Sequence, residues 1–117
     1  MKIIHLSDLH FGTESEDIVN ALASSLNALS PELVLVSGDF TQVGSEKEYR
    51  SAQVFLSSLE CPVFCVPGNH DIPALNLYER FFTPYKKYKE FITDDLCPVF
   101  ENDKVQIAGL NSARRAL

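Results

Sequence analysis

The sequence predicts an α/β fold: a βαβαβ parallel sheet flanked by helices and ending in a β-hairpin. Three observations point to it. Ile3-Ile4-His5-Leu6, Leu33-Val34-Leu35-Val36 and Pro62-Val63-Phe64-Cys65-Val66 are short apolar, β-branched runs, as strands buried on both faces require. Two segments of helical periodicity separate them. Each run also stops abruptly at polar residues, and the stops recur at βαβ spacing, with 31 residues from Asp8 to Asp39 and 30 from Asp39 to Asn69.

The first strand runs into Ser7-Asp8-Leu9-His10-Phe11-Gly12. Thr13 and Glu16 then have capping-box spacing, and apolar residues recur at Ile18, Leu22, Leu26 and Leu29, which predicts an amphipathic helix ending near Ser30-Pro31. The second strand ends in Ser37-Gly38-Asp39. Ser45 and Glu48 form another possible capping box, and Tyr49, Ala52, Leu56 and Leu59, with Phe55 beside them, make a second helical stripe. The third strand ends in Pro67-Gly68-Asn69-His70-Asp71.

Beyond Ile72-Pro73, Leu75, Tyr78, Phe81 and Phe82 suit a short helix, broken at Thr83-Pro84 before a stripe of Tyr85, Tyr88 and Phe91. Arg80, Lys86, Lys87 and Lys89 read either as a solvated face or as neighbours of a phosphate-bearing substrate, the solvated face being the commoner outcome. Val99-Phe100 and Val105-Gln106-Ile107-Ala108-Gly109-Leu110, joined by Glu101-Asn102-Asp103, read as a hairpin. Residues 111–117 look like a tail cut in mid-element. No repeat, low-complexity tract or linker interrupts residues 1–117, which form a single domain or part of one.

Composition narrows the function. With 45% hydrophobic and 22% charged residues, the chain has the make-up of an ordinary soluble globular protein. It has no apolar run of membrane-spanning length, and Met1-Lys2 lead straight into the first strand, so a cytoplasmic location with no membrane partner is expected. A net charge of -6 argues against a broad nucleic-acid-binding surface. Cys61, Cys65 and Cys97 contain no paired CxxC, and Cys61 and Cys65 read as small packed hydrophobes.

Ligands of an open parallel sheet bind beyond the carboxyl ends of its strands. There the three strands bring Asp8 and His10, then Asp39, then Asn69 and His70. One polar strand end is an ordinary turn. Three in succession, two of them with histidine, indicate a metal-competent pocket. His5, inside an apolar run, reads as a satisfied structural residue. Carboxylates, imidazole and an amide suit Mn, Fe, Zn or Mg in a hydrolytic site better than a structural zinc. Asp39, on the central strand, has two oxygens with which to bridge a pair of cations.

Asp8-x-His10, Gly38-Asp39 and Gly68-Asn69-His70-Asp71 resemble, in order and spacing, the first three motifs of the calcineurin-like metallophosphoesterase superfamily. His5-Leu6-Ser7-Asp8-Leu9-His10-Phe11-Gly12 is especially similar to its cyclic-nucleotide phosphodiesterase and small bacterial phosphoesterase members. The resemblance covers residues 1–112. It implies the first half of a four-layer α/β/β/α sandwich, two divalent metal ions, and hydrolysis of a phosphomonoester or phosphodiester by a metal-bound hydroxide. It further implies that Asp8 and His10 bind the first metal, Asp39 bridges both, Asn69 binds the second, and His70 is the catalytic residue that stabilises the transition state or protonates the leaving oxygen.

The chain departs from the pattern in two places. The family continues with a further histidine and a Gly-His-x-His motif, but no histidine follows His70. The first site therefore keeps Asp8, His10 and Asp39, whereas the second keeps Asp39 and Asn69, and this chain alone is expected to bind one ion or none. Gln42 also stands where many members have a carboxylate to pair with the residue matching His70. The expectation is a phosphoesterase domain lacking its carboxy-terminal half, which self-associates through an uncovered sheet face. The alternative is an inactive or truncated module of the same fold with an assembly or regulatory role.

Overall fold

The computed structural model describes residues 1–114; residues 115–117, the end of the expected tail, lie outside the described residues. Strands β1 (Ile3–Leu6), β2 (Leu33–Val36) and β3 (Val63–Cys65) form a parallel sheet in the order β1-β2-β3. Ile3 pairs with Leu33 and Leu6 with Val36; Val34 pairs with Val63 and Val36 with Cys65. Helices α1 (Glu16–Ala28) and α2 (Glu46–Ser57) make the crossovers. After a 3-10 turn at Asn69–Asp71 come α3 (Leu77–Phe82) and α4 (Lys86–Phe91), then the antiparallel hairpin of β4 (Val99–Glu101) and β5 (Gln106–Ala108). This is the βαβαβ arrangement expected, and Asp39 follows the central strand.

Alternation along the strands decides which side chains meet the helices. Ile4, Leu6, Val34, Val36, Val63 and Cys65 join Ala23, Leu26, Tyr49, Ala52, Phe55 and Phe91 in one core. Helix α4 closes it by stacking Phe91 on Tyr49, with ring centroids 6.0 Å apart. Cys61 and Cys65 pack within this core as expected, and burial pushes the Cys65 thiol up to about 12. On the opposite face the hairpin leans on β3, where Gly109 abuts Val66, Pro98 and Phe64. His5 lies on that face, exposed, with Nε2 2.7 Å from Ser37 Oγ, and is thus satisfied.

Four local expectations need correction. The Thr13–Glu16 capping box does not form. The N-cap of α1 is Ser15, and the Thr13 hydroxyl instead donates to the His10 carbonyl at 3.1 Å, because the turn after β1 claims it first. The Ser45–Glu48 box does form, with each side chain accepting from the other residue's backbone N–H. The buried face of α1 runs through Val19, Leu22, Ala23 and Leu26, a 3.6-residue stripe that leaves Ile18 and Leu29 outward.

Leu75, Tyr78, Phe81 and Phe82 do not face the core. All four are exposed, and the inward residue of α3 is Arg80, 8% exposed, whose Nη1 donates to the Pro73 carbonyl at 3.3 Å. The basic cluster is consequently divided. Lys86 and Lys89 are solvated, Lys87 pairs with Glu79 at 2.8 Å, and Arg80 is packed inside because a six-residue helix held by the buried turn at residues 71–73 has only one side to offer.

Candidate metal centre

Every expected site residue comes from the turn that ends one of the three strands. Leaving a parallel strand requires a sharp change of backbone direction, and after β1 and β2 it is made by left-handed residues: Asp8 at φ 57°, His10 at 47°, Gly38 at 98° and Asp39 at 53°. Non-glycine residues enter this region at a cost of about 1 kcal/mol or more each. Asp8, His10 and Asp39 are three of the four expected metal ligands. The loops that carry them are locked together by the Asp8 N–H to Gly38 O, His10 N–H to Asp39 O and Phe11 N–H to Phe40 O bonds, and by a parallel bridge between Phe11 and Thr41.

Within this frame His10 Nε2 lies 3.5 Å from Asp8 Oδ1 and 3.8 Å from Asp39 Oδ2. One donor atom from each of these residues falls within 4.8 Å of the others. Ligands about 2.1 Å from a shared divalent ion stand about 3 to 3.5 Å apart, so small adjustments convert the cluster into a coordination shell. His10 Nδ1 is 2.9 Å from Gln42 Oε1. Because that oxygen can only accept, Nδ1 carries the proton and Nε2 presents its lone pair toward the carboxylates. Asp8 is exposed, and hydrogen bonding from the Ser7 side chain holds its carboxyl below the usual range. Donor types, spacing and tautomer fit one divalent cation.

His70 stands beside this group. Its ring meets that of His10 edge-on, with centroids 4.6 Å apart, its backbone N–H donates to Asp39 Oδ1 at 2.9 Å, and its Nδ1 donates to the Gln42 main-chain carbonyl at 2.7 Å. Asn69 precedes it in the same 3-10 turn, and its Oδ1 accepts from the Arg114 backbone N–H at 3.0 Å. The structure thus gathers Asp8, His10, Asp39 and His70, while the Asn69 side chain engages the chain beyond the hairpin.

Asp71 and Thr41 were not assigned roles from sequence. Asp71 is fully buried and accepts from the Thr41 N–H at 3.0 Å and the Gly68 N–H at 2.9 Å, clasping the turn after β2 to the turn after β3. Burial raises its pKa, opposed by these donors. Thr41 completes the clasp, its hydroxyl bridging the His70 carbonyl and Asp71 Oδ1 at 2.9 and 3.2 Å. A carboxylate followed at once by the apolar Ile72-Pro73 was the available signal. Gln42 is the other surprise, since its side chain serves His10 and only its main chain serves His70.

Comparison with known proteins agrees with this geometry. Residues 1–112 match the family model described as calcineurin-like phosphoesterase. A glycerophosphodiester phosphodiesterase of Enterobacter lignolyticus is 38% identical over 63% of this chain and 31% of its own length. A probable glycerophosphodiester phosphodiesterase of Arcobacter nitrofigilis is 31% identical over 97% of this chain and 44% of its own length. A probable cyclic nucleotide phosphodiesterase of a Synechococcus species is 29% identical over 62% of this chain and 32% of its own length. The chain therefore spans less than half the length of these relatives.

Proposed function

Since the chain belongs to the calcineurin-like phosphoesterase family, we propose that it supplies the amino-terminal, metal-binding part of a metal-dependent phosphoesterase. The observation that carries the reading is the convergence of Asp8, His10 and Asp39 at the carboxyl edge of a parallel sheet, with His70 against them. The substrate is a phosphoester. A phosphodiester is the favoured form, in keeping with what the relatives are named for.

In this reading Asp8, His10 and Asp39 hold one divalent cation, and Asp39 with Asn69 contributes to a second. The metal supplies Lewis acidity toward the phosphoryl oxygens and acidifies bound water. His70 holds or delivers a proton at Nε2, because Nδ1 is committed to the Gln42 carbonyl. An imidazole suits that task, having an unperturbed pKa near neutrality. Asp39 and Asn69 alone are too few to hold a second cation, so further ligands would have to come from outside these residues. A cytoplasmic location goes with the reading; among the described residues no helix is long and apolar enough to cross a membrane.

A second reading, a non-catalytic module of this fold in assembly or regulation, is favoured by one observation: the Oδ1 of Asn69, an expected ligand of the second cation, is engaged by the Arg114 backbone N–H. Elemental analysis combined with turnover of a bis-aryl phosphate separates the two. Two bound ions per chain with turnover support the phosphoesterase, and one ion or none, without turnover, supports the module. Asp39→Ala is expected to abolish metal binding, and unchanged metal content in that variant overturns the proposed ligand set.

A further inference from the structure

We infer that Gln42 is the positioning residue that fixes the tautomer and rotation of His10, and so sets how tightly the Asp8, His10 and Asp39 group takes a divalent cation. The inference rests on the metal-binding reading above but concerns a residue outside the ligand set.

Gln42 is well placed to do this. Its own N–H donates to the Phe11 carbonyl at 3.0 Å, and Thr41 before it forms the parallel bridge with Phe11. Its main chain is therefore held by the same backbone ladder that holds the turn bearing His10. From this fixed base the two Gln42 oxygens diverge. The side-chain Oε1 meets His10 Nδ1 at 2.9 Å and the main-chain oxygen meets His70 Nδ1 at 2.7 Å.

Amide oxygens only accept, so both rings are held with the proton on Nδ1. For His10 this leaves Nε2, the nitrogen facing both carboxylates, as a free lone pair. Without the Gln42 side chain the ring could place its proton on Nε2 or swing away, and a donor would have to be regenerated before a cation could bind. Such partners of ligating histidines contribute about 10- to 100-fold to metal affinity.

The divided roles give the inference a specific signature. A carboxylate at this position, the sequence-based expectation for a partner of His70, would serve His10 here. Changes confined to the Gln42 side chain should alter His10 while leaving the His70 hydrogen bond, which is made to main chain, in place.

The experiment uses nitrogen-15 NMR of the ring nitrogens in metal-free protein at a pH where imidazoles are neutral, together with calorimetric titration with Mn2+. In the unaltered protein His10 should carry its proton on Nδ1. In Gln42→Ala the His10 tautomers should mix and Mn2+ affinity should fall about 10- to 100-fold, while His70 keeps its Nδ1 proton. Gln42→Glu should restore both the tautomer and the affinity. An unaltered His10 tautomer and affinity in Gln42→Ala, or a Gln42→Glu variant no better than Gln42→Ala, overturns the inference. If Gln42→Ala fails to fold, the unaltered protein decides, because a His10 proton found on Nε2 contradicts the role outright. Should the unaltered protein bind no Mn2+ while the tautomers behave as described, the metal-binding reading fails together with the effect on affinity, and the control of the His10 tautomer by Gln42 stands.

Discussion

The His70 backbone N–H donates to Asp39 Oδ1 at 2.9 Å, so the residue proposed to move the proton and the carboxylate proposed to bridge the metals are joined through main chain. The imidazole is not needed for this bond. Its ring is oriented separately, by the Gln42 carbonyl. Support of the ligand and chemistry at the ring are thus separable by substitution at one position.

His70→Ala keeps the N–H that steadies Asp39 and removes only the ring. Metal content should be unchanged, while kcat in the active protein should fall about 10²- to 10⁴-fold, the range for loss of a general acid. Steady-state kinetics with elemental analysis of the same sample checks both halves. Retained turnover would remove His70 from the mechanism.

Gly38 carries a second constraint, of purely steric origin. Its φ is 98°, and a Cβ there would stand 2.6 Å from Gly68 N and 2.7 Å from Gly68 Cα. These are backbone atoms of the neighbouring strand end and cannot rotate away. Gly38→Ala combines left-handed strain with overpacking and should cost about 2 kcal/mol or more. Urea unfolding gives the test: a midpoint equal to that of the unaltered protein would show that the two turns are not packed this closely.

The strands and their polar ends were legible in the sequence because a strand covered on both faces must be continuously apolar and must stop where solvent begins. Leu33-Val34-Leu35-Val36 followed by Ser37-Gly38-Asp39 leaves little else to infer. The Ser45–Glu48 box was legible for a similar reason, since both partners act within one turn of chain. Thr13–Glu16 had the same spacing and failed because the His10 carbonyl competes for the Thr13 hydroxyl. Arg80 and Gln42 show the wider limit. Which side of α3 faces inward depends on the turn at residues 71–73 that receives Arg80, and which histidine an amide reaches depends on contacts between turns about 30 residues apart; neither leaves a periodic trace.

Asp71 should make stability depend on pH. Burial raises its folded-state pKa above the ordinary value of 3.8, so between 3.8 and the raised value the folded state binds more protons than the unfolded state. Its contribution to stability consequently declines as pH rises through that window. Asp71→Asn removes the titration but puts an amide where two backbone N–H groups need acceptors, so the variant should be less stable throughout. The deficit relative to the unaltered protein should be largest near pH 3.8 and shrink above it. Denaturant midpoints across the range measure this, and a constant or widening deficit would contradict it.

Self-association through the uncovered sheet face is not the one route open to this chain. The hairpin already leans on part of that face. The large exposed apolar side chains are instead concentrated on and just before α3: Leu75 at 86%, Leu77 at 63%, Tyr78 at 68% and Phe82 at 72%. Tyr78 and Phe82 stack with centroids 5.0 Å apart, presenting one continuous apolar surface. Contiguous exposure of this kind promotes association. The 117-residue chain should therefore run larger than a monomer in light scattering, with the average mass rising with concentration. The double variant Tyr78→Glu with Phe82→Glu should shift it toward monomer while leaving metal binding intact, because neither side chain belongs to the Asp8, His10 and Asp39 group. A monodisperse monomer before substitution would show that this surface does not associate.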